Sequence, residues 1–490
     1  MSHNYNDMFA PSIAPTEEQS AIIYSKENPL KVIAFAGTGK TATLVMKANH
    51  QMQKRILYLA FNKSVELEAK GRFGSNVTAK TVHALAYGKF GKKFKLGKLS
   101  PYQVSRSSNL NLYDALLALK TLENWFSSAD PRISSQHAAQ DFLQKYPKDA
   151  TSRIITAADN IWEAMQYGTG GTPMSHSGYL KLFQLSKPEL PYDCVYLDEA
   201  QDSNGVTLQL VLDQANSMET TIVGDDFQSI YAWRGAVNAL HKINAPSLLL
   251  TQSFRFGQEI ANVANKLLHT YFAQNTKLRG TGHSTVGNTD IQKAHTIIYR
   301  TNAGVFRKAC DLVNSQNIYI PGSTEYGDLP IFMTLMDMYH LLTGDKKSIK
   351  NPEISCFESF DQVEEMVEQE CLEPELSVSA RIVKEFGLSV PQKIEDIKRV
   401  LQPTPDTAQV VLTTAHKAKG LEWNQVLLGD DFPRLFDKVG DLIPLGYEEG
   451  ELDPQEVNLL YVAATRAKQN LELNNDLKRL YSYNPIKKPV

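Results

Sequence analysis

The chain has 490 residues, 42% of them hydrophobic, enough for about three or four compact units with buried cores. Its formal net charge of −3 excludes a uniformly basic nucleic-acid binder, and Cys194, Cys310, Cys356 and Cys371 lie too far apart for a zinc, iron–sulfur or disulfide framework. No apolar run approaches the roughly twenty residues of a membrane span, so a reducing cytoplasm is expected, nucleoid-associated if bacterial, with no membrane contact.

Pro15-Thr16-Glu17-Glu18-Gln19 reads as a helix start capped by Thr16. Gln19 matters because a phosphate loop follows: its amide can donate to and accept from an adenine edge at once. Val32-Ile33-Ala34-Phe35 predicts a buried strand that breaks into Gly37-Thr38-Gly39-Lys40-Thr41 before a helix. In that context backbone N–H groups converge on polyphosphate, Lys40 supplies a point charge to the outer phosphates, and the Thr41 hydroxyl suits Mg²⁺. Ala34 takes the place of the pattern's first glycine, and the strand–loop–helix order carries the reading instead.

Arg55–Ala60 is a second strand, ending in Phe61-Asn62-Lys63. Asn62 and Lys63 there can be a helix cap and a solvated charge as well as anything more specific. From Lys47 to Arg106 basic residues face only Glu66 and Glu68, with Tyr87, Phe90, Phe94 and Tyr102 between them. That mixture lets a surface hold phosphates while rings stack on bases, although a solvated basic face has the same composition. Thr81-Val82-His83-Ala84 falls inside it. Helical periodicity then fills 112–185.

Cys194–Leu197 predicts a strand ending in Asp198-Glu199, adjacent acids that a buried strand end tolerates only beside a cation or hydrogen bonds. Asp198 can hold Mg²⁺ and Glu199 can orient and deprotonate water. Thr221–Asp226 is a further strand and turn, followed by Gln228, placed to sense a terminal phosphate, and by Tyr231, Trp233 and Arg234, suited to stacking on bases and gripping backbone. Ser253-Phe254-Arg255 precedes a helix, and a second set of strands includes His295–Tyr299 before Arg300-Thr301-Asn302. Pro330 to Gln409 is helical and acidic. Gln409–Leu412 resumes the sheet ahead of His416, Gly420 and Glu422, and Glu456–Lys468 is read as a helix closing on Arg466.

In order, TEEQ, AGTGKT, LAFNKSV, TVHALA, LDEAQD, GDDFQSIYAWRGA, SFR, RTNA, TAHKAKGLEW and YVAATRAK resemble the motif set of superfamily 1A DNA helicases of the UvrD/Rep type, across nearly the whole chain. Within that group LAFNKSV, HKAKGLEW and NLLYVAATRAK look similar to the helicase core of the F-box DNA helicase family. No F-box fits before residue 15, so the likeness is expected to cover the motor and not that family's ubiquitin-ligase attachment.

The resemblance implies an α/β fold of two RecA-like P-loop domains with parallel sheets flanked by helices: 1–82 with 188–250, and 251–329 with 408–490. Helical insertions would occupy 83–187, basic at its start, and 330–407, small and acidic. It implies ATP contacts from Gln19, Ala36, Gly37, Thr38, Gly39, Lys40, Thr41, Ala42, Phe254, Arg255, Gly420, Glu422 and Arg466, with Mg²⁺ on Thr41 and Asp198. Catalytic roles would fall to Lys40, Asp198, Glu199, Gln228, Arg255 and Arg466. DNA contacts would fall to Phe61, Asn62, Lys63, His83, Tyr231, Trp233, Arg234, Arg300, Asn302 and His416. Asn458 stands where relatives commonly have arginine.

The expected activity is ATP-driven 3′→5′ movement on single-stranded DNA and unwinding of tailed or forked duplexes, by a monomer. An ATP-gated DNA clamp that does not travel is the alternative. A helicase–nuclease and a 5′→3′ motor fit less well: only 469–490 follows the last motif, and YAWRGA argues for the 3′→5′ branch.

Overall fold

The computed structural model describes residues 14–108, 110–138, 150–232, 235, 239–287, 289–323, 329–368, 372 and 374–483. Trp233 and Arg234 lie outside them.

The first sheet has six strands: β1 (Leu30–Ala34), β2 (Ile56–Ala60), β3 (Val77–Thr81), β4 (Cys194–Leu197), β5 (Glu219–Gly224) and β6 (Ser247–Leu250). All pairings are parallel, in the order β3-β2-β4-β5-β1-β6. Strand β2 shows why it sits inside. Ile56, Tyr58 and Ala60 join one core with Leu44, Val32 and Tyr196, while Leu57 and Leu59 point the other way into a core shared with Val195, Leu197 and the helices between β3 and β4. A strand covered on both faces reads as continuous apolar sequence.

After β7 (Gln252–Ser253), β8 (Arg279–Gly280) and β9 (Thr285–Val286) the second sheet takes shape. Its remaining strands are β10 (His295–Tyr299), β11 (Ile318–Tyr319), β12 (Val410–Thr414), β13 (Trp423–Leu428) and β14 (Ala467–Glu472), ordered β11-β12-β10-β13-β14-β9, again wholly parallel. Strands β7 and β8 form a small parallel pair apart. This is the α/β, parallel-sheet architecture of two RecA-like domains.

Helices fill both long gaps. Leu112–Ser127 and Ala150–Tyr167 pack through Trp125, Phe126 and Trp162, and His176–Leu185 completes that group. Pro330–Leu342, Phe360–Glu368, Pro374–Phe386 and Val390–Val400 cover one face of the second sheet, sharing a core with Ile297, Val410 and Leu412. Among the described residues no helix is long and apolar enough to cross a membrane.

Parallel strands place every carboxyl end on one edge, which is where an open α/β sheet binds ligands. In the first sheet this lines up the turn after β1, Asp198-Glu199 after β4 and Asp225 to Gln228 after β5. In the second it lines up Arg300 to Asn302 after β10 with the short helix Ala415–Ala418 after β12. The second half bonds across to the first through Lys419, Tyr461 and Arg466, on the segments ahead of β13 and β14.

Candidate active site in the cleft between the sheets

The β1 turn is shaped by glycine. Gly37 and Gly39 hold φ of +73° and +79°. A Cβ on Gly37 would lie 2.4 Å from Ser253 Oγ and 2.7 Å from Arg255 Cβ, so the loop is pressed against the segment that follows β6. Phe254 N–H donates to Gly37 O at 2.8 Å. Gln19 Nε2 and the Phe254 ring both come within 4 Å of where a Gly39 Cβ would be, and Phe254 is 49% exposed. An amide and an open ring face thus flank the start of the helix Lys40–His50. The amide itself is fixed: Gln19 Oε1 accepts from Thr16 N–H, closing the expected capping box, and Nε2 donates to Thr43 Oγ1 at 3.2 Å.

Lys40 Nζ lies 3.3 Å from Glu199 Oε1. Burial alone would lower its pKa, but Glu199, Asp225 and Asp198 together raise it. Asp198, buried, accepts from Thr41 Oγ1 at 3.0 Å, Tyr58 OH at 2.7 Å and Glu199 N–H at 2.9 Å. Burial and the neighbouring Glu199 charge push Asp198 up, whereas Lys40 and Lys419 overcome burial at Glu199 and hold it below the ordinary carboxylate range. The two adjacent acids are thus shifted in opposite directions. Glu199 has φ +51° and ψ +44°, a left-handed backbone that non-glycine residues adopt at a cost of about 1–2 kcal/mol.

The opposite wall comes from the second sheet. Arg466 is 1% exposed and donates through Nη2 to Gln228 Oε1 at 3.0 Å, through Nε to Val462 O at 3.0 Å and through Nη1 to Leu421 O at 3.4 Å. Burial and the nearby Arg255 push its pKa down to about 9. Arg255 donates to Glu422 Oε2 at 2.8 Å and to Thr465 O at 3.0 Å. Tyr461 OH accepts from Ala36 N–H at 3.1 Å and donates to Asp225 Oδ2 at 3.3 Å, and the Gln228 amide also donates to Asp225.

Several expected residues are turned elsewhere. Ala36 gives its N–H to Tyr461, so it is spent on holding the halves together. The Arg300 guanidinium forms a paired bond with Glu456, at 2.6–3.0 Å, and its backbone N–H meets Asp431. Asn62 Oδ1 caps the helix Lys63–Arg72, and Lys63 pairs with Glu66. The helix expected to close on Arg466 instead ends at Ala464: Thr465 Oγ1 and Arg466 Nε take carbonyls of its last turn, and β14 begins at Ala467. Thr38 and Gly420 lie on turns, Ala42 in the first turn of the helix Lys40–His50, and Asn302 at the start of the helix Asn302–Leu312.

A second group sits toward the far side. The Phe61 and Tyr231 rings stack at 5.6 Å and 16°, Tyr231 is 6.1 Å from the His416 ring, and its hydroxyl donates to His416 O at 3.4 Å. His83 packs edge-on against Tyr179 at 6.2 Å, apart from that group. Of the basic tract, Lys54, Arg55, Lys70 and Arg72 pair with acids, whereas Lys89, Lys92, Lys93 and Lys95 pair with no described carboxylate.

Residues 18–234 match the AAA domain model and residues 363–475 the UvrD-like helicase C-terminal domain model. F-box DNA helicase 1 of Gallus gallus is 33% identical over 95% of this chain and 49% of its own length. F-box DNA helicase protein 1 of Schizosaccharomyces pombe is 31% identical over 95% of this chain and 58% of its own. By these matches the chain is similar to UvrD-like helicases in both of its halves. It spans about half the length of those two relatives. ATP-dependent DNA helicase PcrA of Leuconostoc citreum aligns more narrowly, 27% identical over 51% of this chain and 38% of its own.

Within this helicase fold the sequence reading missed Asp225, Tyr461, Lys419 and Asp202 as members of the cleft. Asp225 had a usable signal, an acid at the end of a buried strand. Tyr461 had none, because its helical stretch reads as ordinary core.

Proposed function

We propose that the chain is an ATP-driven DNA motor that moves 3′→5′ along single strands and unwinds tailed or forked duplexes. The observation that carries this reading is the Arg466–Gln228 hydrogen bond, which joins a buried cation of one sheet to the terminal-phosphate sensor of the other at 3.0 Å. The names of the relatives, DNA helicases and an ATP-dependent DNA helicase, support it.

ATP would seat its adenine between Gln19 and Phe254, with Glu422 beside the ribose and the phosphates over Gly37 to Thr41. Lys40 would exchange Glu199 for the outer phosphates. Thr41 Oγ1 and Asp198 Oδ2, 3.0 Å apart, are the hard oxygen donors that Mg²⁺ takes, and the ion when bound neutralises phosphate charge. Released from Lys40, the ionised Glu199 can accept a proton from water aligned by Gln228. Arg466 is disfavoured as a cation first by its burial and then by Arg255, and a γ-phosphate beside the two would compensate both charges. Nucleotide binding therefore favours closure, and hydrolysis removes the favour.

On the strand side, bases stacking on Tyr231 at about 1–3 kcal/mol each bind firmly enough to hold and weakly enough to pass on. Duplexes with a 3′ tail, a 5′ tail or a fork test the reading: unwinding is expected with the 3′ tail and the fork, and preference for the 5′ tail would reverse the polarity. Lys40→Ala and Glu199→Gln are expected to retain strand binding and to lose DNA-stimulated ATP hydrolysis by about a hundredfold or more. Retained turnover in either removes the catalytic assignment.

A further inference from the structure

One buried cation of the cleft joins it to the ring cluster. Lys419 follows the short helix Ala415–Ala418, on the turn that starts with His416. Its Nζ donates to both Asp202 oxygens, at 2.7 and 2.5 Å, and to Gln228 O at 2.5 Å. The same Nζ stands 5.1 Å from the centre of the Tyr231 ring. The Lys419 side chain is 10% exposed and that of Asp202 is fully buried.

Both anchors lead to the chemistry. Asp202 N–H donates to Glu199 O at 2.9 Å, so the lysine's carboxylate partner closes the turn that Glu199 opens. Gln228, whose carbonyl the lysine holds, carries the amide bonded to Arg466. On the other side the lysine lies under the ring that stacks on Phe61. A buried ion pair does not part readily, because either partner left alone is an uncompensated charge. Asp202, the Gln228 main chain and the His416 turn therefore move together.

We infer that Lys419 is a positioning residue that makes ATP turnover answer to strand occupancy, by tying the Glu199 turn and Gln228 to the turn beneath Tyr231. This rests on the proposed reading of the cleft as the ATP site. A base that takes the place of Phe61 on Tyr231 pushes the ring toward Lys419, and the lysine hands that displacement to Gln228 and Asp202. The pair does no chemistry of its own.

The experiment compares ATP turnover with and without single-stranded DNA in wild type, Lys419→Met, Asp202→Asn and the double variant, with KM for ATP and thermal unfolding measured on each. In the double variant no buried charge is stranded, so its unfolding temperature is expected to recover relative to Lys419→Met. Its stimulation by DNA is expected to stay down by about tenfold, with KM for ATP changed less than about threefold. A purely structural pair predicts that stimulation recovers along with stability, and that result overturns the inference. Should the double variant not fold, Asp202→Asn alone decides: stimulation reduced by about threefold or more supports the inference, and an unchanged ratio overturns it. Wild type without any stimulation by DNA would sink the motor reading itself, a separate outcome.

Discussion

Burial argues against a charged Lys40, and Glu199, Asp225 and Asp198 overrule it. The same crowding shows at Asp225, which burial pushes up to about 6 despite Lys40 and the Gln228 amide. A carboxyl whose pKa is raised by folding keeps a proton that the unfolded chain has already lost, so its contribution to stability falls as pH rises from about 4 to 6 and is flat above. Asp225→Asn removes that slope. Urea midpoints of variant and wild type should accordingly shift in the variant's favour across that range and keep a constant difference above pH 7. At Gly37 the constraint is steric: φ is +73° and Ser253 and Arg255 stand where a Cβ would go. Gly37→Ala is expected to lower stability by about 1–2 kcal/mol and to weaken ATP binding about tenfold, read by unfolding and by nucleotide titration. Residues such as Lys40, Thr41, Asp198 and Glu199 are legible in sequence because their chemistry is local, a polar turn directly after an apolar strand. Lys419 and Tyr461 are not, because their partners are 217 and 425 residues away.

Among the elements, the helix Pro454–Ala464 links the cleft and the strand side. Gln455 accepts from Ala232 N–H, Glu456 holds Arg300, Asn458 donates to Ser229 O at 3.0 Å, and Tyr461 reaches Ala36 and Asp225. The departure at Asn458 thereby gains a physical account: a short amide meets a backbone carbonyl at an interface with little room. Tyr461→Phe leaves the Ala36 N–H without its partner, and the cost expected in chemical denaturation is about 1–3 kcal/mol. Periodicity identifies this helix but overruns its end by four residues, to Lys468. The stop comes from Thr465 and Arg466 bonding back to its carbonyls, contacts that no period records. The parallel order of each sheet was equally beyond periodicity. It came into view only through the motif resemblance.

At the scale of the molecule, the halves meet through an apolar core as well as polar bonds: Phe35 and Ala36 beside the phosphate loop share a cluster with Ile230, Phe256 and Tyr461. Such a joint transmits force, since closely packed side chains shift between discrete arrangements and do not deform smoothly. If each cycle of closure and release advances the strand, ATP consumption must depend on how much track is available. The deciding measurement is steady-state ATP turnover at saturating concentrations of single strands of increasing length. A motor that falls off the end and must rebind shows turnover that climbs with length to a plateau. A turnover rate independent of length would contradict the account and leave a clamp that opens and closes in place.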